Sequence, residues 1–110
     1  MSNSQIDEIN VSISRYLKNR EHSRKELIDK LLKKNYILED IISCIDDYSK
    51  RNLQSDQRYA EDLVRVKFNA GKGPNFIENF LKAKQVSTEL IKDGLSQYSQ
   101  SDWVALAIKS

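Results

Sequence analysis

At 110 residues, 39% of them hydrophobic, the chain is one domain-sized unit that can bury a modest core but is too short for two independent ones. Its charges nearly cancel, 18 basic against 16 acidic, which excludes a disordered polyelectrolyte; the net +2 is too small by itself to announce nucleic acid. Three glycines and one proline argue against a many-stranded β fold, and the single Cys44 and single His22 exclude an internal disulfide or a structural zinc site.

Taken in chain order, apolar residues recur at i, i+3, i+4 and i+7, the signature of amphipathic helices rather than strands. Ile6, Ile9, Ile13, Tyr16 and Leu17 form the first stripe, Leu27, Ile28, Leu31 and Leu32 the second, and Leu38, Ile41, Ile42, Ile45 and Tyr48 the third. Tyr59, Leu63 and Val66 follow, then Ile77, Phe80 and Leu81, then Leu90, Ile91, Leu95 and Tyr98, and a seventh helix opens at Asp102. The fold class is therefore all-α. Leu27, Leu31, Ile41, Ile45, Leu63, Ile77, Leu81, Ile91 and Leu95 are the expected core.

Capping chemistry marks the helix ends. Ser23-Arg24-Lys25-Glu26 is a capping box, Pro74 after Gly73 suits a first helical position, and Ser87 caps the sixth helix with Val86 and Ile91 as a hydrophobic staple. Asn52 stands where a left-handed residue would end the third helix. Gly71 ends helix four, and Gly94 permits close packing of helix six.

Sliding the chain by fifty positions exposes a repeat: Ile9 meets Tyr59, Ile13 meets Leu63, Leu27 meets Ile77, Leu31 meets Leu81, Ile41 meets Ile91 and Tyr48 meets Tyr98. The organisation expected is a single helical-repeat domain over 1–110. Two three-helix repeats, at about 4–50 and 54–99, form an elongated array, with a third begun at about 101–110. Trp103 is read as a core anchor of that third unit, and its neighbours Val104, Leu106 and Ile108 either fold back on the second unit or stay partly exposed.

Charge alternates in bands. Residues 15–34 hold eight bases against three acids, and residues 65–84 hold five against one, at the same fifty-residue offset; residues 35–64 between them hold seven acids against three bases. Solvated helix faces account for such bands, and so does a bipartite basic surface for an acidic partner or a nucleic-acid backbone. The candidate basic surface is Arg15, Lys18, Arg24 and Lys25 in the first repeat and Arg65, Lys67, Lys72, Lys82 and Lys84 in the second. Arg58, close after Asp56 in a first turn, reads as a structural ion pair or cap, with a partner contact as the alternative. His22 packs or bonds beside the capping box, and Cys44 is a small hydrophobe on a partly buried helix.

No Walker loop, dinucleotide glycine pattern or nucleophile elbow occurs, and Gly71-Lys72-Gly73-Pro74 lacks the length and the following Lys-Ser/Thr of a phosphate loop. No apolar run has the length of a membrane span, and no secretory leader is present. The expectation is a protein with no catalytic residue, cofactor, metal, small-molecule substrate or membrane contact, in a reducing cytoplasmic setting.

Four segments carry a family resemblance. Arg20-Glu21-His22-Ser23-Arg24-Lys25-Glu26-Leu27, followed by Lys30-Leu31, resembles the first helical signature of RecX, the bacterial regulator of the RecA recombinase. Asp56-Gln57-Arg58-Tyr59-Ala60 is similar to that family's Asp-x-Arg-aromatic-small stretch, and Gly71-Lys72-Gly73-Pro74 with Ile77, Leu81, Lys84 and Val86 to its Gly-x-Gly-Pro motif. Asp102-Trp103 with Ala105, Leu106 and Ala107 resembles the start of its third repeat. Gln85 and Asn52 stand where the family usually has glycine, Gln54 where it has an apolar residue, and the third repeat breaks off at Ser110. The resemblance implies a curved array of three-helix repeats that binds RecA, lodges along the groove of its nucleoprotein filament and suppresses ATPase, strand-exchange and coprotease activity. Recombination, DNA repair and the SOS response are the implied setting, with weak direct nucleic-acid binding possible. The alternatives left open by the residues are a sequence-independent nucleic-acid-binding helical module and a helical protein-interaction scaffold.

Overall fold

The computed structural model describes residues 2–109, with side chains from residue 5 onward. Among them are seven helices and no strand: α1 (Ser2–Asn19), α2 (Arg24–Leu32), α3 (Leu38–Lys50), α4 (Asp56–Asn69), α5 (Pro74–Ala83), α6 (Thr88–Leu95) and α7 (Gln100–Lys109). The chain divides into two compact units, 1–55 and 56–110.

In the first unit α1 and α2 both pack on α3. Its core is Ile9 and Ile13 from α1, Leu27 and Leu31 from α2, and Ile41, Cys44, Ile45 and Tyr48 from α3, closed at the edges by Ile6, Tyr16, Leu17, Ile28 and Tyr36. Tyr48 joins α3 to α1 through its polar end as well: its hydroxyl donates to the Asn10 carbonyl at 3.0 Å and shares a 2.6 Å hydrogen bond with Ser14 Oγ. The capping box of α2 forms as read, with Ser23 Oγ accepting from the Glu26 amide and the Glu26 carboxylate accepting from the Ser23 amide, each at 3.1 Å.

The second unit repeats the plan with α4 packed chiefly on α6. Its core is Tyr59, Ala60, Val64, Ile77, Leu81, Val86 and Ile91, with Leu63, Leu90, Leu95, Tyr98 and Trp103 against it. Each unit thus closes its own core, where chain length alone suggested one; a triplet of short helices is enough to enclose a cluster of seven or eight buried residues.

Several sequence expectations shift here. Leu63 and Leu95 are only half-buried, and Val66 is 60% exposed; the inward stripe of α4 is Tyr59, Ala60 and Val64 instead. The cause is the close approach of α6. A Cβ on Gly94 would stand 3.2 Å from Val64 Cγ2 and 3.5 Å from the Ala60 carbonyl oxygen, so the small faces of α4 and α6 meet and rotate the larger residues toward the rim. α7 begins at Gln100 rather than Asp102, because Ser99 and Asp102 cap it reciprocally: Ser99 Oγ accepts from the Asp102 amide at 3.1 Å, and the Asp102 carboxylate accepts from the Ser99 amide at 2.8 Å.

Trp103 folds back on the second unit. It meets Phe68 and Tyr98 edge-on, at centroid distances of 5.0 and 5.5 Å, while Phe68 and Tyr98 stack at 3.7 Å. Val104 and Ile108 remain exposed.

Candidate interaction surface

Four of the nine candidate basic residues are neutralised by acids within their own unit. Arg24 reaches Asp46 at 2.7 Å, Lys25 reaches Asp29 at 2.7 Å, Lys82 reaches Glu78 at 2.8 Å, and Arg65 pairs with Asp62. These pairs are solvent-exposed, so each adds little to stability. Their effect is on the surface field, since each cancels a charge that the sequence alone counts as available.

The structure gathers three others over aromatic rings. Lys67, on the last turns of α4, sets its ammonium 4.8 Å from the Phe80 centroid, and Lys84, at the end of α5, stands 5.5 Å from the same ring. Lys72, in the turn between the two helices, lies 5.0 Å from the Phe76 centroid. Phe76 and Phe80 are one turn apart on α5, 6.4 Å between centroids, and Phe76 is 46% exposed. Ammonium groups held over ring faces gain a modest cation–π attraction.

The first unit carries a related arrangement on different residues. Lys30 and Lys34 of the second helix and its following turn lie 4.7 and 5.5 Å from the Tyr16 centroid on α1. Lys30 also donates to His22 Nε2 at 2.9 Å, and His22 Nδ1 donates to the Arg20 carbonyl at 3.0 Å. A carbonyl only accepts, so Nδ1 carries the proton and the buried imidazole is neutral. Burial pushes the His22 pKa below its ordinary value, and the positive charges of Arg20 and Lys30 push the same way, against the Arg20 carbonyl bond and Glu26. Of the remaining candidates, Arg15 sits exposed on α1 in a cleft it shares with Lys34, and Lys18 is exposed on the last turn of the same helix.

Sequence reasoning did not single out Phe76, Tyr16, Lys30 or Lys34 as part of an interaction surface, and it read Phe80 only as a member of the fifth apolar stripe. The Phe76–Phe80 spacing of i, i+4 was the available signal, because two large rings on the rim of a short helix need either a partner or a covering charge. Gln54 was noted only as a departure from an apolar position. It is buried and bonded, donating from Nε2 to the His22 carbonyl at 3.2 Å and accepting from Ser49 Oγ at 2.6 Å.

Two successive three-helix units, with α2 and α3 starting fifty residues before α5 and α6 and with cores at the same offset, define a tandem three-helix-repeat protein. The family model described as RecX, first three-helix domain, matches residues 14–47, and that of RecX, second three-helix domain, matches residues 55–95. The chain belongs to the RecX family. It is 39% identical over 93 residues to the Regulatory protein RecX of Acinetobacter baylyi, covering 83% of this chain and 55% of that protein. To the Regulatory protein RecX of Legionella pneumophila it is 34% identical over 99 residues, 90% of this chain and 65% of that one. The chain thus spans between about half and two thirds of the length of these relatives. The crystal structure of RecX from Lactobacillus salivarius superposes with a TM-score of 0.88 at 27% identity, over 97% of this chain and 70% of that chain. A second crystal structure, of a regulatory protein RecX, shares the fold with a TM-score of 0.90 at 24% identity, over 98% of this chain and 55% of that one. Among the described residues no helix is long and apolar enough to cross a membrane.

Proposed function

We propose that this chain is a non-enzymatic regulator that binds RecA and its nucleoprotein filament on DNA in the cytoplasm, and lowers the filament's ATPase, recombinase and coprotease activities. The observation that carries the reading is the lysine–phenylalanine patch of the second unit, in a chain whose relatives are named regulatory proteins. Lys67, Lys72 and Lys84 are held in place before any partner arrives, so less side-chain freedom is lost when they meet carboxylates or phosphates. Arg15 and Lys34 offer the first unit its own basic contact. Two contacts on one chain act at high effective concentration, and together they exceed either alone if both reach the filament. A bound regulator of this kind acts by occupying surface that RecA needs, and no bond is made or broken.

RecA on single-stranded DNA is the test. The protein should slow ATP hydrolysis by the filament in proportion to its concentration while hydrolysing none itself, and inhibition absent at saturating protein would defeat the proposal. A second reading, sequence-independent binding of nucleic acid, is favoured by one feature: exposed Phe76 beside Lys72 resembles a base-stacking platform flanked by charge. Tight binding to a bare oligonucleotide with no effect on RecA would select it.

A further inference from the structure

The first unit carries a surface feature along its first helix. A shallow cleft of about 300 Å³ runs along α1 and ends in the turn between α2 and α3. Asp7 and Glu8 line one end, Val11 and Tyr36 the middle, and Arg15 with Lys34 the other end. Asp7 and Arg15 are eight residues apart, two helical turns or about 12 Å along the axis. Both are exposed, and among the described residues neither holds an ion pair.

The walls are fixed in advance. Lys34 is steadied by the Tyr16 ring and by a 3.5 Å hydrogen bond to Ser12 Oγ, and Tyr36 donates its hydroxyl to Glu8 at 3.4 Å. The turn that carries Lys34 and Tyr36 continues into a helix start with a weak local cap. Ile37 occupies the N-cap of α3 with no side-chain cap, and its amide is bonded instead by Gln5 Oε1 of α1 at 2.7 Å. At the corresponding place in the second unit Ser87 caps α6 from its own side chain, and Thr88 follows it. An isoleucine at an N-cap is disfavoured by about 1 kcal/mol against serine, yet Ile37 is 56% exposed and so gains little from burial. The charge order is also private to the first unit: fifty residues on, Asp7, Glu8, Val11 and Ser12 become Gln57, Arg58, Glu61 and Asp62. Repeat architecture does not demand this cleft.

We infer that the α1 cleft docks an α-helix on the protein surface of RecA, running antiparallel to α1, with an acidic residue against Arg15 and Lys34, a basic one against Asp7 and Glu8, and an apolar side chain between them on Val11 and Tyr36. Helices favour acids in the first turn and bases in the last, so an antiparallel helix presents the matching order and opposes the α1 dipole as well. A nucleic-acid strand does not fit, because its uniform negative charge meets Asp7 and Glu8. The inference rests on the RecA reading and assigns to this cleft the protein side of the contact.

The experiment measures binding of the full chain to surface-held RecA without and with single-stranded DNA, and separately to a bare oligothymidine; a wild type that binds RecA only when DNA is present overturns the inference. The wild type should bind DNA-free RecA. Asp7→Lys combined with Arg15→Glu should weaken that binding at least tenfold, and so should Val11→Asp, at a position 60% exposed where the fold tolerates a charge. Circular dichroism checks that both variants keep wild-type helicity. Equal binding of wild type and variants to DNA-free RecA overturns the inference, and so does a parallel loss of oligothymidine binding in the charge-reversed variant. A wild type that binds RecA neither with nor without DNA overturns the RecA reading and this inference together, an outcome distinct from both.

Discussion

At the scale of single residues, the backbone turns between helices are held by three side-chain-bearing residues in the left-handed region: Asn35 (φ 66°), Asn52 (φ 60°) and Gln85 (φ 58°). Asparagine tolerates this conformation, whereas glutamine lacks the short side chain that bonds locally. Gln85→Gly should therefore raise stability by up to about 1 kcal/mol, the relief of strain exceeding the added freedom of the unfolded chain, and Asn52→Gly should gain less. Denaturant midpoints of the two variants check the order. His22 supplies a pH dependence. Its folded pKa is depressed below 6.5, so above that value neither the folded nor the unfolded imidazole is charged and stability is unaffected. As pH falls through 6.5 toward the folded pKa, the unfolded chain takes up the proton first and stability is lost. Thermal midpoints should fall between pH 7.5 and pH 5, and His22→Gln should flatten that part of the profile. An unchanged slope in the variant would show that other groups set it.

Packing at the scale of elements turns on the α4–α6 crossing. Gly94 lies against Val64 and Ala60, and both of these are fully buried. Gly94→Val places a branched side chain where even a Cβ meets Val64 Cγ2 at 3.2 Å, which should cost about 1–3 kcal/mol in overpacking. Urea denaturation checks the size, and an unchanged midpoint would mean that α6 slides away at no cost. The amphipathic pattern of α4 was legible in part only. Tyr59 pointed inward as read, but the spacing of Leu63 and Val66 fits a helical stripe as well as Ala60 and Val64 do, and only the proximity of α6 chooses between them. The caps are different. Ser23, Pro74 and Ser87 act within a turn of their own backbone, and each stands where local chemistry put it.

Across the whole molecule, charge separates two roles. Where the sequence counts nine available cations, the structure pairs four with acids and turns three toward Phe76 and Phe80. Reversal at Lys67 and Lys72 is accordingly the more telling change than reversal at Arg65, whose charge Asp62 already offsets. Lys67→Glu with Lys72→Glu should weaken inhibition of RecA ATPase at least tenfold at low salt, with helicity kept because exposed substitutions shift stability by only about 0.5 kcal/mol. The gap between variant and wild type should narrow as salt rises, since screening weakens the wild-type contact too. A variant that inhibits equally at low salt would remove the basic patch from the mechanism.

The sequence by itself determined the all-helical class, the fifty-residue repeat, the helix caps and the family, because each of these is written in neighbours along the chain: periodicity, a capping residue and its third successor, a motif in order. Tertiary structure alone decided which face of α4 is buried, that Trp103 closes on Phe68 and Tyr98, and which lysines stand over aromatic rings. It also decided that Asp7 and Arg15 share one cleft with Lys34 and Tyr36. Those outcomes depend on residues distant in sequence arriving within a few ångströms of each other, and a side chain's partner across such a gap is set by packing, which local patterns along the chain do not reveal.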